Sequence, residues 1–181
     1  SAAVTVKLDI GYAGLSGLPV VVINTEKNQA IKDKDTWIPA KMLIDDGKGN
    51  VAFAEADAEV KGRGNTTWSY DKKPYAIKLG SKAEALGMPK HKRWVLLANW
   101  LDHSMIRNTV AFDIAQSIEK AWRENGSIEA GVPWNVHGKN VELIVVDKDG
   151  DAHHVGNYYL CEQIKIDDNR LAISDPYEDG G

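Results

Sequence analysis

The stretch Glu59–Gly80, EVKGRGNTTWSYDKKPYAIKLG, decides how the rest of the chain is read. A donor-rich loop, RGNTTW, lies between a segment that alternates toward it and a short apolar run, PYAIKL, with a lysine in its middle. Tyr75, Ile77 and Leu79 alternate with Ala76 and Lys78, so this run reads as a strand with Lys78 on the face opposite Ile77. Gly62 and Gly64 let the backbone take φ > 0 or approach a ligand closely, and Arg63, Asn65, Thr66 and Thr67 add side-chain donors. Such a loop suits an anion. Composition alone equally allows a plain turn followed by an ordinary strand with an exposed lysine.

Upstream, Leu18–Asn24 (LPVVVIN) is a β-branched run bounded by turn residues and reads as a buried strand. Trp37–Ile44 (WIPAKMLI) is a second strand, marked by proline and so placed at an edge. After the turn chemistry of DDGKGN, Val51, Phe53, Ala56, Ala58 and Val60 form a half-buried strand leading into the central loop. Downstream, 81–93 reads as a short helical turn ending at Gly87 and then a basic loop, and WVLLANW at 94–100 as a strand. An amphipathic helix follows, with Ser104 as N-cap, an apolar face of Ile106, Val110, Ala111, Ile114, Ala115, Ile118, Ala121 and Trp122, and a stop at Asn125-Gly126. Val141–Val146 and Val155–Ile164 read as a hairpin around DKDGD at 147–151. Residues 1–17 read as a flexible or edge-strand leader to a single domain spanning 1–181.

The 181 residues carry a net charge of −4 with Lys and Arg scattered, which argues against nucleic acid as a partner. No run reaches the ~18 apolar residues of a membrane span, and no signal peptide opens the chain. A single cysteine, Cys161, rules out an internal disulfide and sits among apolar neighbours as an inert thiol. The five histidines lack metal-ligand spacing, so no metal site is expected. DKDGD departs from a calcium loop, because its glycine comes one place early and Tyr158 stands at the twelfth position. No GxSxG elbow is present.

YAIK is similar to the lysine-bearing strand VAIK of protein kinases. Over nearly its whole length the chain resembles the spore coat protein H (CotH) kinase family. The matching stretches are LPVVVINT at 18–25, IKDKDTWIPAKM at 31–42, KGRGNTTW at 61–68, KKPYAIKL at 72–79, LGMPKHKRWVLLANWLDHSMIRN at 86–108 and YLCEQIKIDDNRLAI at 159–173. The resemblance implies an α+β fold, a mostly antiparallel sheet with one main amphipathic helix, like the amino-terminal lobe of an atypical protein kinase. It also implies a secreted or surface-associated protein that binds ATP with magnesium and phosphorylates a protein substrate.

Carried over residue by residue, the resemblance assigns Arg63, Gly64, Asn65, Thr66 and Trp68 to the nucleotide phosphates or to shaping the loop over them. Lys78 is the first candidate for a phosphate lysine and Lys73 the second. Arg107 and Asn108 open the helix, where they meet either phosphate or the loop, and Glu162 either orients a lysine or satisfies backbone donors. The family's catalytic and metal-binding aspartates lie in later N-x-D and W-D-x-D motifs, and neither occurs here. Catalytic residues are therefore expected to be missing, the chain reading as an amino-terminal fragment that is inactive alone. The competing expectation is a noncatalytic surface or coat-associated interaction module. With the second lobe absent, self-association through an apolar face left near the last strand is expected.

Overall fold

In the computed structural model, which describes residues 16–26, 29–48, 50–126, 134–146, 149–168 and 170–174, the alternation around Ile77 is the inside-outside alternation of a barrel wall. Seven strands are formed: β1 (Val20–Thr25), β2 (Ile38–Asp45), β3 (Val51–Gly62), β4 (Tyr75–Ala85), β5 (Met88–Leu97), β6 (Gly138–Val146) and β7 (Ala152–Glu162). They close in the order β1-β2-β3-β4-β5-β7-β6. Among the described residues the helix α1 (Arg107–Glu124) lies between β5 and β6. The inward side chains, among them Ile23, Met42, Ile77, Leu79, Trp94, Leu96, Leu143, Tyr158 and Leu160, form one core.

This overturns the expected α+β fold with its open, kinase-lobe sheet. β1 pairs in parallel with β6, from Val20↔Glu142 to Asn24↔Val146, and that pairing joins what would have been two free edges. Local pattern does not show closure, since the partners lie more than a hundred residues apart in sequence. Its trace is nevertheless present. VVVINT and VELIVV are continuous apolar runs, as expected of a parallel pair buried on both faces. Val21 and Ile23 enter the barrel core, while Val20 and Val22 pack outside it against Ile144 and Val146.

Closure also removes the edge expected for β2, which pairs with β1 on one side and β3 on the other. Pro39 sits at its start, before the β1 pairing begins at Ala40, so no ladder bond to β1 is lost there. The stretch 81–93 is neither helical turn nor basic loop. β4 and β5 continue through it as a hairpin closed at Ala85↔Met88, with Leu86 (φ 52°) and Gly87 (φ 81°) in a two-residue turn. The expected leader lies outside the described residues except for 16 and 17, as do Asp147 and Lys148 of the DKDGD turn and the end of the chain from 175.

The helix starts at Arg107, later than a Ser104 cap would place it. Asp102 serves its first turn instead: Oδ2 accepts the Arg107 N–H at 2.8 Å, and Oδ1 accepts the Ser104 N–H at 3.1 Å. The far end closes on Asn125 and Gly126, whose N–H groups donate to Ala121 and Arg123 carbonyls. The apolar stripe is not the face that meets the barrel. Phe112 stacks on Tyr159 at 5.8 Å, and the Gln116 amide donates to the Val136 carbonyl at 2.7 Å. Ile114, about 160° around the helix from Phe112 at 100° per residue, points away from the barrel. Among the described residues no helix is long and apolar enough to cross a membrane.

Candidate functional site

The loop from Arg63 to Pro74 crosses the mouth of the barrel where β3 ends and β4 begins. Gly62 is required there because a Cβ would stand 2.5 Å from the Trp68 ring. Gly64 takes φ +84°, and a Cβ would stand 2.0 Å from Thr67 Oγ1. A 3-10 turn, Thr66–Ser69, follows, tied by the Trp68 N–H to the Asn65 carbonyl at 3.2 Å. The Trp68 ring meets Tyr75 edge-on at 6.5 Å, and Tyr75 stacks on Tyr158 at 6.1 Å, so an aromatic row anchors the loop to β4 and β7.

Between this loop and the turn that leads into α1 lies a cleft of about 230 Å³. Arg63, Thr67, Tyr70 and Lys72 line it from the loop, and Asn99, Trp100, Asp102 and Asn108 from the other side. Asn99 adopts φ 49°, a left-handed conformation that asparagine tolerates better than most residues, and its Oδ1 accepts the Asn108 amide at 2.8 Å. Lys72 donates to the Asn157 carbonyl, lies 3.4 Å from Met105 Sδ and sits 4.5 Å from the centre of the Tyr158 ring. Burial lowers its pKa, and the charge of Glu142 pulls the other way. Asp102 is the acid of the cleft. Its pKa is lowered chiefly by the Ser104 hydroxyl and the Arg107 N–H, which occupy its oxygens.

The sequence candidates separate on this structure. Arg63 and Asn108 meet in the cleft. Gly64, Asn65 and Thr66 build the turn beside it, and Trp68 shapes the loop from behind. Lys73 donates to the Trp68 carbonyl at 2.9 Å. Arg107, with its side chain 84% exposed, lies 3.5 Å from Asp102. Lys78 stands on the outer face of β4, paired with Glu59 of β3 at 2.6 Å. Sequence reasoning missed Lys72, Asn99 and Trp100. KKP offered no way to choose between its two lysines, because Lys72 is placed by a contact with Asn157, 85 residues away.

Glu162 belongs to a separate, sealed cluster at the barrel's edge. Its Oε2 accepts the His137 N–H at 3.0 Å and lies 2.9 Å from His137 Nδ1, and its Oε1 lies 3.9 Å from Arg170 Nε. The Arg170 guanidinium sits 5.1 Å from the centre of the Trp94 ring. His91 accepts the Arg93 N–H at Nδ1 and brings Nε2 within 3.5 Å of Asp167. The Glu162 bond raises the His137 pKa, whereas burial first, then Arg170, lowers that of His91. Cys161, buried beside this cluster, has its thiol pushed up to about 12 by burial and is unreactive.

The cleft's donor set fits phosphate: two cations and two amides face it, and its one acid is engaged elsewhere. It falls below the roughly 300–1,000 Å³ of a typical small-molecule pocket, so it can take a phosphate chain but not a whole nucleoside triphosphate. The same set does not fit a metal. Among the described residues no group of three or more His, Cys, Asp or Glu could hold one. A family model described as CotH kinase protein matches residues 60–175. No curated protein matches the chain.

Proposed function

The chain belongs to the CotH kinase protein family, and from that premise we propose that its cleft binds the phosphate groups of ATP. The observation that carries this reading is the convergence of Arg63, Lys72, Asn99 and Asn108 on one cleft at the helix entrance. Arg63 supplies a planar fork for phosphate oxygens and Lys72 a point charge. The two amides add neutral donors. Tyr70 and Trp100 wall the cleft, and Trp100, itself exposed, offers a ring against which the nucleoside can rest outside it. Lys72, already half-buried, takes the role that sequence assigned to Lys78. Neither metal binding nor transfer to a protein substrate is assigned to any of the described residues.

Calorimetric titration with ATP, with and without magnesium, tests the proposal. Saturable binding is expected, weakened about 10- to 150-fold by Arg63→Ala or Lys72→Ala, as for the loss of a charged hydrogen bond of about 1.5–3 kcal/mol. Lys78→Ala should leave it unchanged. No heat at millimolar nucleotide, or a loss confined to Lys78→Ala, overturns the assignment and favours the noncatalytic module.

A further inference from the structure

Among the described residues nothing covers the apolar stripe of α1 on the side away from the barrel. Ile106, Val110, Ile114, Ile118 and Trp122 recur every fourth residue and are 51%, 47%, 55%, 44% and 52% exposed. Beside this ridge runs a parallel hollow of about 430 Å³, lined by Val110, Ile114 and Ile118 on one side and by Asp113, Ser117 and Ala121 on the other. The ridge is bulky and the hollow is floored by small side chains. Helices pack by setting such a ridge of one into the groove of the next, and here one helix carries both halves of that fit.

We infer that α1 is the interface of a homodimer, two copies packing by this face about a two-fold axis at Ile114. In an antiparallel crossing centred on the stripe's midpoint, Val110 of one copy meets Ile118 of the other, and Ile106 meets Trp122. Such an arrangement is isologous: each copy's ridge fills the other's hollow, so the contact closes on itself. The area agrees. With full side-chain areas of about 150–250 Å² for residues of this size, the exposed fractions leave on the order of 500 Å² of apolar surface per chain. An interface about 60–65% apolar then spans roughly 800 Å² per partner, the size of a standard specific interface. The surface differs from the one sequence suggested. Along the last strand Tyr158–Cys161 are buried in the wall, while Ile164, Ile166 and Ile173 at and beyond its end are exposed, apart from the helix ridge.

Sedimentation of the 181-residue chain across a concentration series tests this. Wild type is expected to sediment at twice the monomer mass, and Ile114→Asp, which sets two carboxylates against each other on the axis, at the monomer mass. Because these side chains are exposed, the variants should keep the wild-type circular dichroism. Val110→Glu and Ile118→Arg should each weaken the dimer, and the double variant should restore it, since the introduced carboxylate of one copy then faces the introduced guanidinium of the other. Ile114→Cys should form an intermolecular disulfide on oxidation. A wild-type chain that stays monomeric overturns the inference, as does a dimer indifferent to Ile114→Asp. In either case the helix face is left to a different partner, such as another segment of a longer chain. The dimer does not depend on the cleft, and ATP binding by the monomeric variant would leave the phosphate proposal standing.

Discussion

Two groups of charged residues lie at the barrel's margins, and they are built on opposite terms. In the sealed cluster, Glu162 and Arg170 have side chains with no exposed surface and find their opposite charges in each other. In the cleft, Arg63 and Lys72 are half-buried, Lys72 donates to a backbone carbonyl rather than to an acid, and the neighbouring acid, Asp102, is committed to the helix start. Charge that is buried and paired holds structure together, because removing one partner strands the other away from water. Charge held in a half-desolvated cleft beside amides and aromatic rings is available to a ligand. The sequence could not tell these apart, since Glu162 and Arg63 both stand in motif-dense stretches.

The largest effect expected from this contrast is on folding. Glu162→Ala should cost about 3–5 kcal/mol in urea unfolding by leaving the Arg170 guanidinium buried without its partner. Lys72→Met should keep stability within about 1 kcal/mol of wild type while weakening ATP binding. If the two variants destabilise equally, the cleft is structural and the contrast fails.

A smaller effect divides the sealed cluster internally. The folded His137 pKa is raised above the unfolded ~6.5 by Glu162. Its contribution is therefore fully present below ~6.5 and is lost as pH rises through the folded value. For His91 the folded pKa is lowered by burial and Arg170. Its contribution is present above ~6.5 and is lost as pH falls toward the folded value. The two oppose each other in neighbouring windows. Unfolding at pH 5.5 and 8 should show His137→Gln losing more stability at the acid end, and His91→Gln losing less there. Parallel pH profiles for the two variants would show that neither proton is coupled to folding.

The smallest effect concerns the lysine that sequence ranked first. Lys78 and Glu59 are 38% and 37% exposed on the outer face of the wall. Lys78→Ala should therefore change stability by about 0–1 kcal/mol, less in high salt. A loss beyond that, persisting in salt, would place Lys78 in a network tighter than its exposure indicates.

Much of the wall was legible. LPVVVIN, WIPAKMLI and PYAIKL carry apolar runs or period-two patterns that coincide with β1, β2 and β4, and Lys78 stands opposite Ile77 as the alternation requires. The helix was legible in extent but not in facing. Its apolar stripe gives no sign of what it faces, and α1 meets the barrel through Phe112 and Gln116, whose partners Tyr159 and Val136 come from distant parts of the chain. In the hairpin at 81–93, a left-handed Leu86 beside Gly87 was hidden because leucine rarely signals that conformation.

The sequence by itself determined most of the strands outside 81–93, the helix, the glycine-hinged loop and the family, because each rests on local periodicity, on a glycine where a Cβ would collide, or on motif order. Only the tertiary structure decided that the strands close into a barrel, that Lys72 rather than Lys78 shares a cleft with Arg63, and that the helix turns its apolar ridge outward. Each of these depends on residues far apart in the chain meeting at a definite register: β1 with β6, Lys72 with Asn157, Phe112 with Tyr159. Local preference specifies which way a side chain points from its own backbone. What it meets there is set by packing.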